Sequence, residues 1–128
     1  MKKICLLFVI TIASVNCMTA QIHIAADLIG TWIIDLTPSP DAEPYVQVME
    51  ISAADGKTIS GSFYNSPFEN GETNSLWDKT YFAFTTKDRS SVYFTSGSIE
   101  NGELRGVTYC DQRDFVMPWT GKRKELTK

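Results

Sequence analysis

The chain has 128 residues, 43% of them hydrophobic and 21% charged, with a formal net charge of −3. That length suits one domain with a single core. The acidic balance argues against nucleic acid and against anionic membrane surfaces as partners.

The chain opens as an export signal: Lys2 and Lys3, an apolar run over residues 4–12, then small and polar residues ending at Ala20. Removing residues 1–20 takes away two lysines and no acid, so the formal charge of residues 21–128 falls from −3 to −5. The apolar run is shorter than the roughly 18 residues a spanning helix needs, and no transmembrane segment is expected elsewhere. Two fates stand. A cut after Ala20 releases a soluble protein into the periplasm or the medium, whereas Cys17, preceded by Ser14, Val15 and Asn16 in the manner of a degenerate lipobox, is the alternative site of a lipid anchor. The first fate removes Cys5 and Cys17 and leaves Cys110 without an intrachain partner. Cys110 is then expected as a half-buried strand residue.

From residue 29 onward, alternating apolar and polar runs rich in Val, Ile, Thr, Tyr, Phe and Trp recur at short spacing, the pattern of antiparallel β-structure. The first strand covers residues 29–36, with Gly30, Trp32, Ile34 and Leu36 on one face. Pro38, Pro40 and Pro44 then forbid a ladder over residues 37–44. The second strand (45–52) and third (58–64) are joined through Asp55-Gly56. Residues 66–77 hold Pro67 and Asn70-Gly71 and are expected as a ragged fourth strand with its turns, or else as a second long loop. The fifth strand (79–86) sets Phe82 and Phe84 against Tyr81, Ala83 and Thr85. The sixth (91–99) and seventh (103–110) meet at Asn101-Gly102, the strongest hairpin signal in the chain. The last strand (115–123) contains Pro118 and Gly121 and is expected to be bulged or locally unpaired. Eight consecutive strands with short links favour an all-β, up-and-down antiparallel barrel, because closure removes both exposed edges. A two-layer sandwich is the alternative.

Gly30-Thr31-Trp32 at the head of the first strand, with Arg123 soon after Trp119 at the end of the last, resembles the signature of the calycins: lipocalins, fatty-acid-binding proteins and avidins. Gly61-Ser62-Phe63-Tyr64 and Phe94-Thr95-Ser96-Gly97 are similar to strands of avidins, and residues 21–128 match that family in length. The resemblance implies an eight-stranded barrel whose base is closed by Gly30, Trp32 and Arg123, with a ligand held at the other end. It does not imply biotin as the ligand, since Ile34 stands where avidins carry an asparagine. Asp78-Lys79-Thr80-Tyr81 likewise differs from the Thr-Asp-Tyr motif of lipocalins.

Catalytic groupings are sparse, and no enzymatic activity is expected. His23, the single histidine, precedes the first strand, which leaves a hydrolytic triad without its base. The acid pairs Asp41 with Glu43, Glu69 with Glu72, and Asp111 with Asp114 fall in turn-like segments and read as solvated loop charge. Gln21-Ile22-His23 at a new N-terminus has the donor set for Cu(II), but a plain tail is the simpler reading, so no metal and no cofactor is expected. The aromatic residues are more informative. All but Phe8 of 15 lie after the signal, too many for a small bore, so several must line one end or stand outside. Tyr45, Gln47, Trp77, Tyr93, Tyr109 and Trp119 are the expected lining of a site for a small hydrophobic or amphipathic molecule, gated by residues 37–44. The alternative is a protein-interaction or inhibitor module with a solid core.

Overall fold

The computed structural model describes residues 24–125. The expected export signal with Cys5 and Cys17, the Ala20-Gln21 junction and His23 lie outside the described residues. A single 3₁₀ turn, Ala25–Leu28, leads into β1 (Gly30–Asp35), β2 (Val46–Ala54), β3 (Ile59–Phe63), β4 (Ser66–Pro67), β5 (Glu69–Asn74), β6 (Thr80–Lys87), β7 (Val92–Glu100), β8 (Glu103–Cys110) and β9 (Phe115–Arg123). One turn is too short to leave a helical period, and the sequence pattern gave no sign of it.

Every pairing is antiparallel, and the spatial order β4-β3-β2-β1-β9-β8-β7-β6-β5 is a meander whose first strand meets its last. The sheet curls into a nearly closed barrel, an architecture compatible with a calycin-like fold. Nine strands stand where eight were expected because residues 66–74 form one ragged strand broken at Phe68. Its first part pairs with β3 and its second with β6. The seam is drawn together by a hydrogen bond from the Phe68 amide to Gly61 O at 2.9 Å, another from the Thr73 amide to Lys57 O at 2.9 Å, and a bridge between Thr58 and Glu72. Gly71 permits this approach, since a Cβ there would lie 2.3 Å from Ile59 O.

Turn chemistry follows the residues that require it. Asn101 and Gly102 both take positive φ, 52° and 77°, as a two-residue hairpin with the twist of its strands demands. The Asp55 turn is wider than a two-residue hairpin: only Gly56 has positive φ, and the Asp55 carboxylate accepts from the Lys57 and Thr58 amides. The last strand is not bulged, and it is unpaired on one flank only. It pairs with β8 without a register shift from Cys110–Phe115 to Leu104–Gly121. Pro118 is accommodated because the β1 ladder stops at Asp35–Thr120, leaving one flank of β9 free where the proline sits. Cys110 is also corrected, being fully buried at the end of β8 rather than half-buried.

Inside the barrel, Trp32, Ile34, Met49, Ile51, Ile59, Phe63, Phe82, Phe84, Leu104 and Trp119 form one core. Gly30, Trp32 and Arg123 lie together at the base. Trp32 is fully buried and donates its indole N–H to Leu28 O at 2.8 Å. The Arg123 guanidinium lies 4.3 Å from the indole ring centre. It donates to Ile29 O at 2.9 Å and also to Asp27 O. Gly30 has φ 145°, a backbone conformation that favours glycine, and a Cβ there would stand 2.8 Å from Arg123 Nη1, so the guanidinium would have to shift. Higher up, Trp119 lies across β8: a Cβ on Gly106 would be 2.3 Å from its Cζ2.

Two variants weigh these contacts. Trp32→Ala should cost about 3 to 5 kcal/mol as a large buried deletion, and Arg123→Ala about 1 kcal/mol for the lost cation–ring contact. Chemical denaturation measures both, and two variants as stable as the parent would contradict closure by this set.

The open end of the barrel as candidate binding site

In a meander, successive connections alternate between the two ends of the barrel. The base receives the 3₁₀ turn and the β2–β3, β5–β6 and β7–β8 links. The opposite end receives residues 36–45 and the β3–β4, β6–β7 and β8–β9 links. Among the described residues, nothing comparable to Trp32 plugs this second end. It opens into a cavity of about 660 Å³, within the range that holds small-molecule ligands.

The cavity wall is mainly apolar, built from Leu36, Pro38, Ala42, Phe63, Phe115 and Met117. Aromatic packing beneath them makes the floor. Phe63 lies 6.4 Å from both Phe84 and Trp119, and Phe82 lies 6.4 Å from Trp119. The floor's polar atoms are satisfied internally: the Trp119 indole donates to Thr108 Oγ1 at 3.1 Å, and Thr108 and Thr95 share a hydrogen bond of 3.0 Å. The deep end therefore offers apolar surface, and hydrogen bonding is confined to the rim.

On the rim, two groups are held in place by their own partners. The Tyr45 and Tyr64 hydroxyls bond to one another, and the Gln47 amide donates to Tyr45 Oη at 3.1 Å. Tyr64 reaches this position with φ 59°, followed by Asn65 at 61°, a left-handed pair whose cost falls on a bulky residue. The second group centres on Asp88. Its carboxylate accepts from the Ser90 and Ser91 amides, each at 2.8 Å, from the Tyr93 hydroxyl at 2.8 Å and from Arg113 at 3.3 Å. Those donors, the Ser90 amide foremost and the Tyr93 hydroxyl next, hold the Asp88 carboxyl down to about 2. Burial, and then the bond to Asp88, raises the Tyr93 phenol. Asp88 thus ties the β6–β7 link to the neighbouring β8–β9 link on the rim.

The segment between β1 and β2 is pinned at its root. The Leu36 amide donates to Tyr45 O at 2.8 Å, the Tyr45 amide to Thr37 Oγ1 at 3.1 Å, and the Thr37 amide to Asp35 at 2.9 Å. Its tip lines the cavity with Pro38, Ala42 and Glu43, while Ser39 and Pro40 lie against the outer side near Arg105 and Thr120.

Among the residues expected to line a site, Tyr45 and Tyr93 border the cavity. Gln47 supports Tyr45 from below, and Trp119 is buried in the floor. Two stand elsewhere. Trp77 is 73% exposed in the β5–β6 link, at the base. Tyr109 points outward on β8, 43% exposed, with its hydroxyl 3.3 Å from Asp111. Asp88, Arg113, Tyr64, Phe115 and Met117 were not singled out from the sequence, although counting connections alternately places all of them at the end that holds residues 37–44. The acid pairs do not converge on one point: Glu69 is engaged by Lys87 at 3.0 Å, while Asp111 and Asp114 share a tight turn. Among the described residues no cluster of three or more His, Cys, Asp or Glu side chains is arranged to hold a metal ion. No described helix is long and apolar enough to cross a membrane. Comparison with known proteins returned no match, whether to a protein family, a curated protein or a solved structure.

The Asp88 contacts carry a pH signature. Its pKa in the fold is below the ordinary 3.8, so the stabilisation it lends is complete above that ordinary value and is lost as pH falls through about 2. Carboxyl-carbon NMR should show Asp88 titrating near the lower figure. Asp88→Asn should lower the Tyr93 pKa in an alkaline absorbance titration, and an unmoved Tyr93 would mean that the bond does not form in solution.

Proposed function

We propose that this chain is an exported, calycin-like binding protein that holds a small amphipathic molecule in the open end of its barrel. The apolar part of the ligand lies against Leu36, Phe63 and Met117. Its hydrogen-bonding part meets Tyr45, Tyr93 and Arg113 at the rim. The observation that carries this reading is the asymmetry of the barrel: one end is shut by Trp32 and Arg123, while the other opens into a cavity of about 660 Å³ with apolar walls and a few fixed polar groups. The segment 37–44 suits the role of a lid. Its prolines restrict it in advance, which lowers the entropy lost when a ligand orders it.

A panel of fatty acids, sterols, porphyrins and oligosaccharides, titrated against tryptophan emission, tests the proposal. Trp119 is the reporter, since it packs beneath Phe63 and Thr108, which line the cavity, while Trp32 and Trp77 are at the far end. Binding is expected in the micromolar range, about −8 kcal/mol. Tyr45→Ala or deletion of residues 38–43 should weaken it about tenfold, or about 1.4 kcal/mol, with a smaller loss of fold stability. A panel without any saturable response would reject the reading in favour of an interaction module. That second reading draws on the apolar side chains exposed on the outer wall.

A further inference from the structure

The fixed groups on the rim have used their strongest acceptor on one another and keep donors in surplus. Asp88 is full: Oδ1 accepts from the Ser90 and Ser91 amides and the Ser90 hydroxyl, and Oδ2 from the Tyr93 hydroxyl and Arg113 Nη2. Tyr93 has thereby spent its only hydrogen, but Arg113 has donors to spare. Its Nε donates to Ser91 Oγ at 3.2 Å and its Nη2 to Asp88 and Ser90. Nη1, with two hydrogens, has no partner among the described residues. Tyr45 and Tyr64 carry two phenolic hydrogens and share one hydrogen bond, and Gln47 fills an acceptor position on Tyr45. Whichever hydroxyl donates, the hydrogen of the other is left over. Arg113, Tyr45 and Tyr64 all line the same cavity.

Charge narrows the choice of head further. Both cations that line the cavity are matched, Arg113 by Asp88 at 3.3 Å and Lys87 by Glu69 at 3.0 Å. In the links around the mouth that leaves Arg89 against Asp41, Glu43, Asp111 and Asp114, none of them in an ion pair among the described residues. An anionic head would give up its water for donors whose charge is already neutralised, inside an acidic ring. A cationic head would be drawn by that ring, yet at the cavity it would meet Arg113 and Lys87 with Asp88 already filled. Glu43, the remaining carboxylate of the lining, is exposed on the segment 37–44, where water solvates it. We propose that the ligand's polar head is uncharged and accepts hydrogen bonds, as the carbonyl of an amide or ketone does, and that Arg113 Nη1 and the free phenolic hydrogen of the Tyr45 and Tyr64 pair are its donors. This rests on the binding reading above and adds the chemistry of the head. The same pairing selects against analogues without an acceptor, since they would strip water from these donors and return nothing.

Two matched series, one on a decyl chain and one on a steroid nucleus, test the head by tryptophan emission and calorimetry at neutral pH. Each series carries the same apolar body with an amide or ketone, a carboxylate, an ammonium group, or a chlorine atom as a poor acceptor. The carbonyl compound should bind about tenfold more tightly than the other three in at least one series. Arg113→Met should remove most of that advantage while the chloro compound binds within about twofold of its parent affinity. Tyr45→Phe and Tyr64→Phe each leave one free phenolic hydrogen, so each alone should change carbonyl binding less than the two together, which should weaken it about fivefold. The double variant also keeps the test open should Arg113→Met disturb the rim. A charged or chloro analogue that matches the carbonyl compound in both series overturns the proposal and leaves the binding reading standing. So does a carbonyl advantage that is unmoved in Arg113→Met and in the double variant. No saturable binding by any member of either series overturns both.

Discussion

The barrel depends on the contact between Trp32 and Arg123. It joins the first strand of the meander to the last, and it fills the end through which water would otherwise enter the core. Two effects act there and their sizes differ. Burying a whole indole is worth several kcal/mol, against about 0.5 to 2 kcal/mol for the cation over its face. The tryptophan therefore supplies most of the closure. The arginine keeps the ring covered while tying the carbonyls of Asp27 and Ile29 to β9. Gly30 lets the guanidinium come that near, and the Leu28 carbonyl satisfies the one polar atom that closure buries.

With the base shut, the depth of the bore is set by a second close fit. Gly97 and Gly106 face each other across β7 and β8, and Trp119 rests on them; a Cβ at Gly97 would lie 3.1 Å from the same indole. The large side chain of one strand thus occupies room left by its neighbours, giving a solid lower half and an open upper half. Above this floor, Asp88 and the Tyr45–Tyr64 pair fix the rim. For the proposed ligand, rigidity of that kind would favour affinity, since little would remain to be ordered on binding.

Much of the fold was legible because period-two alternation survives wherever a strand has one face in the core, as in β1 and β6. The closing set was legible through its glycine, tryptophan and arginine. The outward direction of Tyr109 was not, and the reason is packing. In the middle of β8 the inward positions are Gly106 and Thr108 while the outward ones are Val107 and Tyr109, so bulk there runs opposite to burial. That inversion follows from Trp119, which belongs to another strand and cannot be read locally. Trp77 was placed with the site on its aromatic character, although the ragged strand expected over residues 66–77 already carries it to the base. Asp88 and Arg113 carried no motif at all; only the meeting of two links on the rim joins them.

The central claim is that the ligand end and the closed end are distinct, and its most direct test is methyl NMR with the tightest-binding compound of the panel. Leu36, Ala42 and Met117 methyl signals should move on titration, while those of Leu28, Ile34 and Leu104 stay in place. Shifts centred on Leu28 and Ile34, or on Val107 and Val116 of the outer wall, would contradict the account.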